Sequence, residues 1–279
     1  PKPPMKRIFS LAYLSASRLN PVQAMDVAAQ TGYACVGLRL WPNAPGEPCQ
    51  ALLGQPALMR EALAAQRDTQ VGVFDVEIIR IQADFDLPRW DRLLEAGAAL
   101  QAQAVLVAGD DPDRARLADH LAQLCERMRP FGLCANLEFM PWTAVPNAAT
   151  AQALLHAAGS PVNARILVDA LHFGRSRTSL EDIRAIPSHW LQYAQINDAM
   201  AGLGFSKDEL IHTARCARLL PGEGTVDLLG LFQALPPDLP ISVEIVNQAR
   251  EALSTPAQWA RQCLLASQAV LARLYPEQA

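Results

Sequence analysis

No run of about 18 apolar residues occurs anywhere in the 279-residue chain, so the sequence holds no candidate membrane-spanning helix. Positive charge is not in surplus: 24 Lys and Arg face 28 Asp and Glu, for a net charge of −4. A general nucleic-acid binder needs a basic field to displace counterions from phosphates, which argues against that class. Cysteine is sparse, with six residues and no Cys-x-x-Cys. That density excludes a disulfide framework, and the missing pairwise spacing excludes a cysteine-built zinc site. Charged residues reach only 19% against 51% hydrophobic, which rules out a disordered chain and leaves ample material for a large core. The stretch Pro1–Arg7 lacks the apolar segment of a secretory leader. Together with cysteines that sit in apolar segments, this leads us to expect a reduced, cytoplasmic protein, with residues 1–5 a disordered lead-in.

What is present is an alternation of strand and helix. Apolar, strand-like runs lie at Arg7–Leu14, Cys35–Leu40, Gln70–Ile81, Ala104–Ala108, Leu133–Phe139, Ile166–Ala170, Trp190–Ile196 and Ile241–Val246. Helical segments follow them, several with readable ends. Asn20-Pro21 opens one that Gly32 closes, and Thr255-Pro256 opens the last. Eight strand–helix units predict right-handed crossovers and a parallel sheet, and at this length a single (β/α)8 TIM barrel spanning residues 1–279. An open dinucleotide-binding sheet is the rival. It would carry a glycine-rich loop after its first strand, where this chain has Ser15-Ala16-Ser17-Arg18.

A barrel of this kind carries its chemistry at the C-terminal ends of its strands. Four consecutive strands place a polar residue there among apolar neighbours: Glu138, Asp169, Gln195 and Glu244. One carboxylate at a strand end is ordinarily a salt-bridge or capping group. Three converging at one mouth repel one another and call for a cation. Carboxylate and amide oxygens are hard ligands, which favours Mn²⁺, Mg²⁺ or Co²⁺, with Zn²⁺ also open. His172, three residues beyond Asp169, either packs locally or touches substrate and moves a proton. Arg215 and Arg218 precede the Pro221-Gly222-Glu223-Gly224 turn, where an arginine could clamp a hydroxylated or anionic substrate. Arg39, Glu77 and Arg80 are further rim candidates, since a buried arginine needs a partner such as Glu77 or a bound anion. His120, His156, His189 and His212 read as ordinary helix or loop residues.

The segments Leu137-Glu138-Phe139, Val168–Phe173, Gln195–Ala199, Pro221–Gly224 and Val243-Glu244-Ile245 resemble the xylose isomerase-like TIM barrel superfamily, nearly end to end. That group includes sugar isomerases and epimerases, inosose dehydratases and 3-dehydroshikimate dehydratases. The resemblance implies one divalent metal ion held by Glu138, Asp169, Gln195 and Glu244, with His172 and Arg215 or Arg218 contacting substrate. Gln195 departs from the common epimerase pattern, which has His there, and is familiar from the dehydratase branch. The implied reaction is proton abstraction beside a carbonyl by Glu138 or Glu244. Return of the proton by the other carboxylate gives an isomerase or epimerase. Loss of a β-hydroxyl protonated by His172 gives a dehydratase. The expected partner is a small sugar, polyol or cyclic keto-acid, with no nucleic acid and no membrane, and a homo-oligomer remains open. An endonuclease IV-like phosphodiesterase fits poorly, because five His and a net charge of −4 do not build its zinc cluster or its DNA face. A non-catalytic ligand-binding barrel is the third class.

Overall fold

The computed structural model describes residues 7–274, so the expected lead-in at 1–5 lies outside the described residues. Eight parallel strands close on themselves in chain order: β1 (Phe9–Leu11), β2 (Cys35–Arg39), β3 (Gly72–Ile81), β4 (Ala104–Gly109), β5 (Cys134–Glu138), β6 (Ala164–Asp169), β7 (Ala194–Ile196) and β8 (Ile241–Val243). The ring is sealed where β1 pairs with both β2 and β8. The molecule is a (β/α)8 TIM barrel, as the alternation predicts. Strands such as β4, Ala-Val-Leu-Val-Ala-Gly, are buried along their whole length because helices cover one face and the barrel interior covers the other. The ladder slips register at Val36/Gly37 in β2 and between Val76 and Ile79 in β3, where the Glu77–Ile78 peptide is cis.

The main helices are α1 (Pro21–Thr31), α2 (Pro56–Thr69), α3 (Asp91–Ala99), α4 (Arg114–Met128), α5 (Ala148–Ala157), α6 (Ala170–Gly174), α7 (Leu180–Arg184), α8 (Lys207–Cys216), α9 (Leu228–Ala234), α10 (Gln248–Glu251) and α11 (Pro256–Ala272). Their ends follow local chemistry. The Asn20 side chain accepts from the Gln23 N–H at the head of α1, and Gly32, at φ 100°, ends it in the left-handed conformation that glycine adopts without strain. Thr255 caps α11 in the same way. None of the helices in the described residues is long and apolar enough to cross a membrane.

The sequence reading differs from the structure in two elements near the site: the residues after Asp169, His172 among them, form the short helix α6 where a loop is expected. The stretch after β7 is not only a loop: α8 lies within it and carries Leu210, His212 and Arg215. Ser206 and Glu209 form a capping box at its start, a Ser-x-x-Glu signal that the glycines at 202 and 204 obscured.

Two packed regions set where ligands can enter. Between sheet and helices lie Met25, Leu38, Leu93, Leu94, Leu121 and Trp259, all fully or nearly fully buried. Inside the barrel, Phe74, Leu106, Leu167 and Tyr193 form a plug, with the Phe74 and Tyr193 rings edge to face at 5.1 Å. The C-terminal mouth is left as the open end, as the fold requires of a site.

Candidate metal and substrate site

Glu138 ends β5, Asp169 ends β6, and Glu244 follows β8 directly. The topology brings these three carboxylates together, each offering an oxygen within 4.8 Å of the others. All three are buried. Gln195, in β7, donates its Nε2 to Glu244 Oε1 at 3.0 Å, which leaves its own Oε1 buried without a partner. The four strand-end residues picked from the sequence thus occupy one place.

A single cation holds the cluster from within. Arg218 Nη1 lies 2.7 Å from Asp169 Oδ2, and Nη2 lies 2.8 Å from Glu244 Oε2. Its Nε donates to the Ala214 carbonyl. The backbone around Arg218 is strapped across the mouth. Leu219 pairs antiparallel with Asp198 and Ala217 with Asn247. The Arg218 N–H donates to the Val246 carbonyl at 2.8 Å, and Asn247 Nδ2 donates to the Arg218 carbonyl at 2.9 Å. With both peptide groups fixed, the guanidinium has little freedom to leave.

Asp169 also caps α6. Its Oδ1 accepts from the His172 N–H at 3.1 Å, while Oδ2 accepts from Asn197 Nδ2 at 2.9 Å. This turn of helix aims the His172 ring back over the mouth, where Nε2 lies 3.4 Å from Glu138 Oε1. Trp142 closes on His172 edge to face at 5.0 Å.

Around this centre the remaining candidates form ion pairs. Arg39 meets Glu77 at 3.1 Å, Arg80 meets Asp110 at 3.2 Å, and Arg215 meets Glu47 at 2.6 Å. Glu77 is therefore the partner of Arg39, and Arg215 reaches the rim from the last turn of α8 instead of from a loop. Arg39, Glu77, Glu138, His172, Arg215 and Arg218 all line a single cavity with Glu244. Asn136, on the same face of β5 as Glu138, instead turns away to Cys134 and Gln192.

The electrostatics are uneven. Burial pushes Asp169 upward, but the Arg218 guanidinium and the His172 side more than offset it and hold its carboxyl below the usual range. Burial pushes Glu244 well up. Arg218 opposes this in part, and the charges of Asp169 and Glu138 reinforce it. With all three carboxylates ionised, one guanidinium leaves two negative charges in a buried space, and the upward push falls on Glu244 and not on Asp169. Two negative charges, a set of hard oxygens and the free Gln195 Oε1 suit one divalent cation.

A family model described as "Xylose isomerase-like TIM barrel" matches residues 25–263. The chain belongs to that family. No curated protein matches it. Among solved structures of this barrel type, an IolI protein with a bound zinc atom superposes with a TM-score of 0.71 at 16% identity, over 95% of this chain and 98% of that one. A probable 3-DHS dehydratase, AsbF, from Bacillus anthracis gives 0.69 at 15%, over 92% and 98%. A D-allulose 3-epimerase from Methylomonas sp., in complex with D-allulose, gives 0.64 at 15%, over 95% and 98%. The chain spans 44% of the length of a further match, a xylose isomerase-like TIM barrel/4-hydroxyphenylpyruvate dioxygenase fusion protein, at TM-score 0.78 and 22% identity over 98% of this chain. At these identities the likeness is one of fold.

Several residues of the site escaped the sequence reading. Asp198 is the chief one: its carboxylate accepts from the backbone N–H groups of Ala199, Gly222, Gly224 and Val226, and so ties the Pro-Gly-Glu-Gly turn to the end of β7. Its signal was the single acid that closes Gln195-Ile196-Asn197-Asp198. Glu47, in Pro-Gly-Glu-Pro, gave no signal because it reaches the site from a loop far away in sequence, and Trp142, four residues after Glu138, gave none because an aromatic residue in a loop reads as ordinary packing.

Proposed function

We propose that this protein is a divalent-metal-dependent isomerase or epimerase that abstracts a proton beside a carbonyl in a small, neutral, polyhydroxylated keto substrate. The observation that carries the proposal is the buried meeting of Glu138, Asp169 and Glu244 around Arg218. Its net charge of two negatives is matched by one divalent ion, and each rim arginine already has a carboxylate partner. A site balanced in this way has no surplus positive charge to reserve for an anion.

In this reading Glu138, Asp169, Gln195 and Glu244 hold the ion, which when bound supplies a Lewis acid for the substrate carbonyl. Glu138 is the base. Its carboxylate is free of arginine, and its pairing with His172 gives the abstracted proton a second acceptor 3.4 Å away. Glu244, three strands round the barrel from Glu138, returns a proton on the opposite face for epimerisation or to the neighbouring carbon for isomerisation. Arg218 keeps Asp169 ionised and oriented, and Arg215 and Glu77 present hydrogen-bonding groups to substrate hydroxyls. Residues 1–279 act as one domain in this scheme, and a small molecule is the partner.

A second reading has its own support. His172 is placed to give a proton to a leaving hydroxyl, and Gln195 stands where a neutral ligand leaves the cluster less basic than histidine would. Those features suit a dehydratase of a cyclic keto-acid or inosose.

The test is solvent deuterium exchange into substrate, read by mass spectrometry, with Mn²⁺, Mg²⁺, Co²⁺ or Zn²⁺. The panel is free and phosphorylated ketoses, inososes and 3-dehydroshikimate, with wild type compared with Glu244→Gln. Metal-dependent exchange that keeps the carbon skeleton and all oxygens, and is lost in the variant, is the expected result. Loss of water from the product moves the assignment to the dehydratase. No exchange with any member, despite a bound ion, removes these substrates from the reading and moves it to another substrate class or a ligand-binding barrel.

A further inference from the structure

The space beside the carboxylate cluster is small, about 40 Å³. Pockets that enclose small-molecule ligands run to roughly 300–1,000 Å³. The missing volume lies next door. A second cavity of about 350 Å³ opens between the loops that follow β2 and β3, and Asn43, Ile78 and Arg80 line both spaces. Arg80 stands at the junction, its Nη1 on Asp110 at 3.2 Å and its Nη2 on Asn43 at 2.6 Å.

The walls of this side lobe define what it can hold. Trp41, Phe85 and Trp90 line it, with Trp41 and Trp90 edge to face at 5.2 Å. Arg89 sits over the Trp41 ring at 4.8 Å and braces that indole from one side. Gln82, Asp84 and Asp86 are exposed into the same lobe. Arg80 is matched by Asp110, so Arg89 alone faces the two aspartates, and the lobe carries no surplus positive charge. A phosphate or carboxylate is disfavoured there. An aromatic platform flanked by amide and carboxylate acceptors matches a ring with apolar C–H faces and hydroxyl donors at its edge.

We propose that the side lobe is a binding site for a second neutral sugar ring, so that the substrate is a keto-disaccharide or glycoside whose reacting ring faces Glu138 and whose other ring rests against Trp41. This rests on the proton-abstraction reading for where the reacting ring sits. The binding of the second ring is measured separately from turnover.

The probes are cellobiose, maltose and glucose, titrated into the intact chain by calorimetry and by tryptophan fluorescence, without turnover. At least one disaccharide is expected to bind tenfold or more tighter than glucose. Trp41→Ala and, independently, Asp84→Asn are expected to weaken that binding at least fivefold. Asp84 is exposed, so its variant tests the lobe with little risk to folding, and unchanged melting confirms that both variants fold. Equal affinity for glucose and both disaccharides, or disaccharide binding that neither variant alters, overturns the proposal. A disaccharide preference that depends on Trp41, in a protein that exchanges no proton into any substrate, upholds the lobe and removes the reaction assigned to its neighbour.

Discussion

Arg218 and Asp169 meet at 2.7 Å with both side chains almost wholly buried, and the same guanidinium reaches Glu244 at 2.8 Å. Replacing one member of a buried pair leaves the other charge without compensation, at a cost of about 3–5 kcal/mol. Arg218→Met should therefore lose stability of that order in urea unfolding. Added divalent ion should restore part of it, since a cation then substitutes for the lost charge. A loss below about 1 kcal/mol would show that the pair contributes little.

Metal binding should itself be visible as stability. An ion that binds only the folded protein stabilises it by about 2.7 kcal/mol at a hundredfold excess over its Kd. After chelation and dialysis, Mn²⁺ or Zn²⁺ should raise the melting temperature of wild type. The rise should disappear in Glu138→Ala, which removes one of the three clustered carboxylates. It should persist in Arg215→Ala, whose partner Glu47 lies outside the cluster. A rise retained in Glu138→Ala would place the ion elsewhere.

The turn at 221–224 depends on a residue without a side chain. A Cβ on Gly224 would overlap both Asp198 Oδ1 and the Ala199 carbonyl. Gly224→Ala should therefore destabilise the protein by about 1–3 kcal/mol through overpacking, and weaken substrate handling by shifting the neighbouring strap. Gly204→Ala is the control, because nothing lies within 4 Å of its Cβ position. Equal stability of the two variants would refute the assignment.

Thiol chemistry should separate by depth. Burial, together with the Asp75 charge, pushes Cys35 up to about 11, with partial relief from the Gly72 N–H. Burial and Cys134 push Cys125 up to about 12, against a smaller opposing pull from Arg165. Only the thiolate alkylates, so both should stay unmodified by iodoacetamide at pH 8 in the folded protein, and Cys35 should begin to react only as the pH nears 11. Cys49 is exposed and should label first. Peptide mass spectrometry gives the order, and early labelling of Cys35 would contradict it.

The barrel was legible because burial on both faces writes each strand as an apolar run, and a polar residue at its end is then conspicuous. Glu138, Asp169, Gln195 and Glu244 stood out for that reason, and the structure places them together. Arg218 was one of two candidates, and what distinguishes it from Arg215, its ion pairs with Asp169 and Glu244 and the antiparallel bridges at 217 and 219, is tertiary. The helix α8 was missed because its apolar face is short and weak: only Ala214 among its residues is buried. Glu47 and Asp110 could not be foreseen as partners, since the contact that defines each is set by barrel closure and not by neighbours in sequence.

The pairing of Asp198 with Leu219 has a consequence for how such a site can diversify. The chain leaves the barrel at one of these residues and returns at the other, and they are hydrogen-bonded in both directions. The residues from 199 to 216, α8 included, are a closed excursion pinned at its base by this pair and by the Ala217–Asn247 bridge. Lengthening or rewriting it costs little in loop-closure entropy, about 0.6 kcal/mol per doubling, and does not move the base. Arg215 travels with the excursion, whereas Arg218 and the three carboxylates stay with the barrel. The excursion is thus an interchangeable cassette, through which the rim facing the substrate can be exchanged while the charged centre keeps its geometry.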